Sequence, residues 1–221
     1  MNTEQARFNM IEQQIRPANV LDLGVLSLLA MVRREDFVPA AYKALAFVDT
    51  ETPLADAGRN GQCMLAPKIE ARLLQEAHVQ RHERVLEIGA GSGFMAALLA
   101  HRAQSVISLE RVPALAAMAT ANLRRAGVLN ASVREMDGAQ GLASEAPFDL
   151  IMLSGSVPEV PLALLDQLKV GGRLLAVVGQ SPVMQAVRVT RLSPTSLQSE
   201  NLFDTVAPRL IGIAEPSRFA F

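Results

Sequence analysis

The stretch RVLEIGAGSGFM, residues 84–95, limits what this chain can fold into more than any other. Arg84-Val85-Leu86-Glu87-Ile88 is an apolar run of strand length. It passes directly into Gly89, Ala90, Gly91, Ser92 and Gly93, and then into FMAALLA, 94–100, which reads as the start of a helix. A strand that turns through glycines into a helix is the opening unit of an α/β sheet. The backbone there must turn sharply and come close to a ligand, where a Cβ would intrude. The N–H groups of such a turn are expected to face that ligand.

The spacing then selects among ligands. The pattern is G-x-G-x-G, and Phe94 stands where a dinucleotide fingerprint needs a third glycine or an alanine. No G-x-x-x-x-G-K-[ST] occurs, which excludes a P-loop. Glu87 lies two residues before the first glycine. A carboxylate is unfavourable beside a pyrophosphate and favourable beside a cation. About twenty residues after Gly89, SVISLE (105–110) predicts a second strand ending in Glu110, placed to take both hydroxyls of a ribose. S-adenosylmethionine, with a sulfonium, an ammonium, one carboxylate and no phosphate, satisfies both acids; its product is S-adenosylhomocysteine. The plain alternative is an ordinary strand-to-helix turn with two incidental surface acids. Acid, glycines, strand and second acid falling in register favour the cofactor site.

From residue 84 the chain alternates as a parallel sheet requires. Strands are predicted at 84–88, 105–109, 131–135, 148–153 and 173–178, with helices near 93–102, 113–126 and 160–168. Gly171-Gly172 is read as a turn before the fifth strand. Residues 183–192 and 196–206 alternate with no helix between them, which suits antiparallel strands closing the sheet edge. The expected fold is α/β: a doubly wound, mostly parallel, Rossmann-like sheet with an antiparallel C-terminal pair. Residues 81–221 form its cofactor-binding domain. Residues 1–80 are read as a helical extension packed on that domain. Phe8, Ile11 and Ile15 form a stripe over 3–16, ended by Pro17; a leucine-rich helix follows at 21–33; 49–61 is a polar loop; and Pro67 opens a helix running to about Ala77.

The balance of 21 basic and 22 acidic residues gives no electrostatic case for nucleic acid or an anionic membrane. A single cysteine, Cys63, excludes an internal disulfide and a cysteine-built metal site. It is read as a small buried residue or pocket wall, not a nucleophile. With no apolar signal core at the start and no stretch of membrane-span length, the expected location is the cytoplasm. His78 and His82 stand at i, i+4 without a metalloprotease glutamate and are read as solvated helix-end residues, so no metal is expected. Arg33-Arg34 and Arg124-Arg125 are read as helix-end cations.

Several segments together carry a family resemblance. They are MIEQQIR at 10–16, REDFVP at 34–39, GQ at 61–62, VLEIGAGSGF at 85–94, LER at 109–111, DG at 137–138, APFDLI at 146–151 and LLDQLKVGGRLL at 164–175. Over most of its length the chain resembles the protein-L-isoaspartate O-methyltransferases, which are class I methyltransferases. The resemblance implies methyl transfer from S-adenosylmethionine to the carboxylate of isoaspartyl residues in damaged proteins or peptides. It implies that Glu87 and the turn Gly89, Ala90, Gly91, Ser92 and Gly93 hold the methionine and ribose part. Glu110, followed by Arg111, would hold the ribose hydroxyls. Asp137 would receive the adenine amino group, with Gly138 letting the ring approach, although Asp-Gly is also a common turn dipeptide.

The family's Gly-Gln-Thr-Ile-Ser-Gln-Pro, whose hydroxyls are associated with the reacting centre, stands here as Gly61-Gln62-Cys63-Met64-Leu65-Ala66-Pro67. Cys63 and Leu65 therefore occupy the catalytic threonine and serine positions, in a substrate groove expected over 58–66. The family's apolar-Thr-Ala-Ala stands as Leu153-Ser154-Gly155-Ser156. Three readings stay open. Ser154, Ser156 or backbone N–H groups replace the lost hydroxyl; or the acceptor is different, such as a small molecule; or the chain is a catalytically silent relative that binds the cofactor and acts through partners.

Overall fold

A computed structural model describes residues 2–54 and 62–213. In chain order the elements are α1 (Thr3–Met10), α2 (Leu23–Met31), β1 (Thr52–Pro53), β2 (Cys63–Met64), α3 (Pro67–Ala77), β3 (Arg84–Ile88), α4 (Phe94–Ala100), β4 (Ser105–Glu110), α5 (Pro113–Arg125), β5 (Ala131–Glu135), β6 (Phe148–Val157), α6 (Leu162–Leu165), β7 (Leu168–Gln180), β8 (Val183–Ser193) and β9 (Ser196–Asp204). The main sheet has seven strands in the order β5-β4-β3-β6-β7-β8-β9. β3 to β7 pair in parallel, and β7-β8-β9 are antiparallel, as the helix-free alternation of the tail predicts.

Chemistry explains the layering. β3 and β4 are buried along nearly their whole length because helices cover both faces of a parallel sheet. Every residue of α4 is buried, as a helix apolar on all sides must be. Strand order reverses between β3 and β6, so the crevice for a ligand opens beyond their carboxyl ends. Residues of α1, α2 and α3, among them Met10, Leu28, Leu29 and Leu73, share one buried cluster with Leu98 and Leu99 of α4.

Packing overrides the local reading at several points. The first helix is not continuous over 3–16: α1 ends at Met10, a π-turn spans Ile11–Ile15 and a 3-10 turn spans Arg16–Ala18. The chain leaves this run at Asn19, with φ +66, not at Pro17. Ile11 and Ile15 are buried as the stripe predicts, but Met10 takes the core place expected of Phe8, which is 59% exposed. β6 runs on to Val157, which puts Ser154, Gly155 and Ser156 inside the strand, at a register shift against β7. β7 begins at Leu168, which shortens the helix expected over 160–168 to Leu162–Leu165. Gly171, at φ +84, is thus a kink within β7 and not a turn before it. The short β1–β2 pair adds strand structure to the region read as helical.

Of the expected helix-end cations, Arg34 is structural instead, whereas Arg125 does end α5 and is tethered as well. Arg34 is 1% exposed, sits 2.6 Å from Glu70 Oε2 and donates to the Leu65 carbonyl at 3.0 Å. Arg125 donates to the Asp36 carbonyl and to Asn122 Oδ1. His78 is exposed and closes α3 in the left-handed conformation.

Candidate active site

The turn after β3 adopts its shape through its own amides. Gly89 and Ala90 both donate to the Leu109 carbonyl, at 2.8 and 3.2 Å, and Gly93 donates to the Ala90 carbonyl at 2.7 Å. Phe94 N–H reaches Ser92 Oγ at 3.3 Å. The Gly89 and Ala90 amides therefore tie the turn to β4 and those of Gly93 and Phe94 close it on itself, so these four are not presented to a ligand, contrary to the expectation from the turn alone. That arrangement is a poor phosphate cradle, because a phosphate site needs free amides. Gly93 serves packing as well: a Cβ there would lie 3.1 Å from the Ala119 carbonyl of α5.

Glu110 ends β4 with 7% exposure. Gly91 N–H donates to its Oε2 and Val112 N–H to its Oε1, each at 3.0 Å. A carboxylate offers about four lone-pair sites, so this clamp fixes the group while leaving acceptor capacity for a diol. Glu87 is fully buried and takes two hydroxyls at 2.6 Å, Ser108 Oγ on Oε2 and Ser154 Oγ on Oε1. Burial pushes its carboxyl up to about 7; the two serine hydroxyls oppose the shift, and Glu110 and Glu70 add to it. A cationic ligand end placed there would favour the ionised form.

A stability prediction follows from Glu87. The folded protein holds this proton to higher pH than the unfolded chain does. The group therefore favours folding in acid, and its contribution declines between about pH 4.5 and about 7, by on the order of 3 kcal/mol. The stability difference between wild type and Glu87→Gln, from denaturant titrations across pH 5–8, is expected to show that decline. A pH-independent difference contradicts it.

The hollow itself has two adjoining lobes. Both are walled by Leu54, Cys63, Leu65, Gly89, Gly91 and Ser154. Glu110, Arg111 and Gly138 line the larger, and Glu87, Ala90 and Ser92 the smaller. Glu110 and Glu87 thus line neighbouring lobes that share these six wall residues. Asp137 accepts the Ala139 N–H on Oδ1 and lies 3.4 Å from Arg111 Nη1 through Oδ2. Its half-exposed side chain stands at the rim beside the lining residues Gly138 and Ala139. Gly138 has a second role: a Cβ would meet Ile88 Cγ2 at 2.6 Å, so strand packing already demands glycine.

At the opposite end, Cys63 is half-buried, and burial together with nearby Glu51 pushes its thiol up to about 12. It is a neutral wall group and not a thiolate nucleophile. Leu65 is buried, its carbonyl held by Arg34. Gly61 and the rest of 55–61 lie outside the described residues, so the expected groove over 58–66 is described only from Gln62 onward.

Two groups of site residues escaped the sequence reading. Ser108 holds Glu87 because parallel pairing sets the two side by side, and a polar residue inside an apolar strand was the available signal. Residues 208–211 and Ile213 wall the larger lobe, with Leu210 Cδ2 2.7 Å from where a Gly89 Cβ would be. Nothing in the pattern APRLIGI announces that placement.

The residues present suit a phosphate-free cationic nucleoside: the amides of Gly89, Ala90, Gly91 and Gly93 are committed, and carboxylates stand along the cavity. Comparison with known proteins agrees. A family model described as protein-L-isoaspartate(D-aspartate) O-methyltransferase matches residues 5–206. A protein-L-isoaspartate O-methyltransferase of Koribacter versatilis is 41% identical over 206 residues, covering 93% of this chain and 90% of the relative. One from Methanoculleus marisnigri is 40% identical, with 84% and 82% covered. Among solved structures, a Plasmodium falciparum chain assigned to the same enzyme class, in complex with S-adenosyl-L-homocysteine, superposes with a TM-score of 0.74 at 21% identity, covering 92% of this chain and 97% of that one. A second protein-L-isoaspartate O-methyltransferase gives 0.76 at 23%, with 97% and 66% covered. At those identities the two structures speak to the fold, and the family model and sequence relatives speak to descent. The chain belongs to the protein-L-isoaspartate(D-aspartate) O-methyltransferase family.

Proposed function

We propose that this protein transfers the methyl group of S-adenosylmethionine to the carboxylate of L-isoaspartyl residues in damaged proteins. The observation that carries the reading is the family match over 5–206, which includes Glu87, the turn 89–93, Glu110, Asp137 and Gly138. On this reading Glu110 takes the ribose hydroxyls, Glu87 and the turn 89–93 border the methionine end, and Asp137 and Gly138 border the adenine. The cofactor supplies a methyl group activated on cationic sulfur. The acceptor carboxylate is already ionised at neutral pH, so no general base is required of the protein. What these residues contribute is alignment at near contact and exclusion of water. Leu54, Cys63 and Leu65 wall the reacting space, and residues 1–80 thereby serve as an extension of the 81–221 unit. Among the described residues no helix is long and apolar enough to cross a membrane, and the free Cys63 supports a reducing cytoplasm as the setting.

The test uses an isoaspartyl peptide and cofactor labelled in the methyl group, with base-labile methanol as the readout. Methanol release from the isoaspartyl peptide, and none from its aspartyl isomer, is expected. Cofactor binding without methanol would dismiss the proposal. Leu65→Ser restores a hydroxyl at the acceptor end and is expected to raise turnover of the same peptide by up to about tenfold. No gain in kcat with the fold intact counts against a serine-equivalent position at 65.

A further inference from the structure

The acceptor end of the hollow lacks the hydroxyl that the family pattern has at position 65, and neither nearby serine stands in for it. Ser154 has its proton committed to Glu87 at 2.6 Å. Ser156 is fully buried, and its Oγ accepts from Arg209 Nη1 at 3.3 Å. Arg209 itself lines the larger lobe.

The fold anchors Arg209 firmly. Residues 208–210 lie beside the end of β6 as a parallel bridge between Ser156 and Arg209. Ser156 N–H donates to the Pro208 carbonyl at 2.7 Å, and Leu210 N–H donates to the Ser156 carbonyl at 2.9 Å. The guanidinium then spans two strands, with Nη1 on Ser156 of β6 and Nη2 on the Gly179 carbonyl of β7 at 2.8 Å. Beyond β6 and β7 lies the half of the crevice across the strand-order reversal from Glu110, which ends β4.

Charge sharpens the assignment. Glu70 and Glu87 line the smaller lobe, so an incoming carboxylate meets acids on the way to the methyl group. Among the described residues, the cations lining the larger lobe are Arg111 and Arg209. Arg111 stands with Asp137 at the nucleoside end, 3.4 Å away. Arg209 is therefore, among the described residues, the lining cation on the acceptor half.

We infer that Arg209 is a specificity-determining residue for the acceptor: its guanidinium, held across the ends of β6 and β7, receives the isoaspartyl carboxylate in place of the missing hydroxyl. This rests on the isoaspartyl reading above. Arg209 is already engaged by the chain, so the carboxylate shares or exchanges contacts it now makes. The 3.3 Å bond to Ser156 is the longer of the two given above. A guanidinium presents five N–H groups in a fork matched to a carboxylate, which one serine hydroxyl cannot do.

The experiment measures binding of an isoaspartyl peptide and of its carboxamide counterpart, with S-adenosylhomocysteine present, to wild type, Arg209→Gln and Arg209→Lys. Wild type is expected to prefer the carboxylate. Arg209→Gln is expected to bind the carboxylate peptide about ten- to a hundred-fold more weakly, leaving the carboxamide nearly unaffected. S-adenosylhomocysteine affinity is expected to stay within twofold. Arg209→Lys keeps the charge but loses the fork, so an intermediate preference is expected, and it decides the matter should Arg209→Gln fail to fold. Equal weakening of both peptides, or a carboxylate preference unchanged in both variants, would mean that Arg209 only tethers residues 208–210 and would overturn the assignment alone. Wild-type protein that binds cofactor but does not discriminate carboxylate from carboxamide would overturn the isoaspartyl reading with it.

Discussion

Glu70→Leu is expected to lower folding stability by about 3–5 kcal/mol, because it strands a buried guanidinium without its counter-charge. Arg34 and Glu70 are 1% and 4% exposed, and their closest atoms are 2.6 Å apart. Burial pushes the Glu70 carboxyl up and Arg34 opposes it, while the same burial lowers the Arg34 pKa. Each group tolerates its place because the other is there. For a chain of this length the loss corresponds to a fall of roughly 6–20 °C in Tm. The double variant Arg34→Met/Glu70→Leu removes both charges and is expected to recover most of the loss. It is not expected to recover full activity: Arg34 also donates to the Leu65 carbonyl at 3.0 Å and lies over the Phe94 ring at 5.3 Å, thereby positioning the acceptor wall. Denaturant titration of wild type and the two variants decides the matter, and a loss in Glu70→Leu below about 1 kcal/mol would contradict the buried-pair account.

Glu110→Ala is expected to weaken cofactor binding at least tenfold. The clamp from Gly91 and Val112 N–H holds both carboxylate oxygens in one orientation, so the acceptor geometry exists before a ligand arrives. Each hydrogen bond to a charged group is worth about 1.5–3 kcal/mol, and a vicinal diol can make two. The substitution also releases the Gly91 amide and loosens the turn, which acts in the same direction. Calorimetric titration with S-adenosylhomocysteine is the check, and an affinity within twofold of wild type would contradict the assignment of Glu110 to the ribose.

Strands β3, β4 and β5, the antiparallel tail and the placement of Glu87, Glu110 and Gly138 were legible because each depends on local pattern: period, glycine spacing and the position of an acid at a strand end. What was not legible depends on contacts across long stretches of sequence. Arg34 reads locally as one of two cations ending a helix, yet 36 positions separate it from the acid that defines it. Ser154 and Ser156 read as following a strand, but β6 continues through them because β7 extends alongside. The amides of 89–93 read as ligand donors, but Leu109 is parallel-paired with Ile88 and its carbonyl takes two of them. Arg209 sits in a segment with no periodicity and acquires its place through backbone pairing to Ser156.

The central claim is that the hollow between β3, β4 and β6 takes a cationic nucleoside without phosphates. Calorimetric titration of the wild-type protein with S-adenosylmethionine, and separately with ATP and NAD, tests this most directly. The account predicts saturable one-to-one binding of S-adenosylmethionine and no detectable binding of either phosphate-bearing nucleotide. Binding of ATP or NAD in preference to S-adenosylmethionine would contradict it.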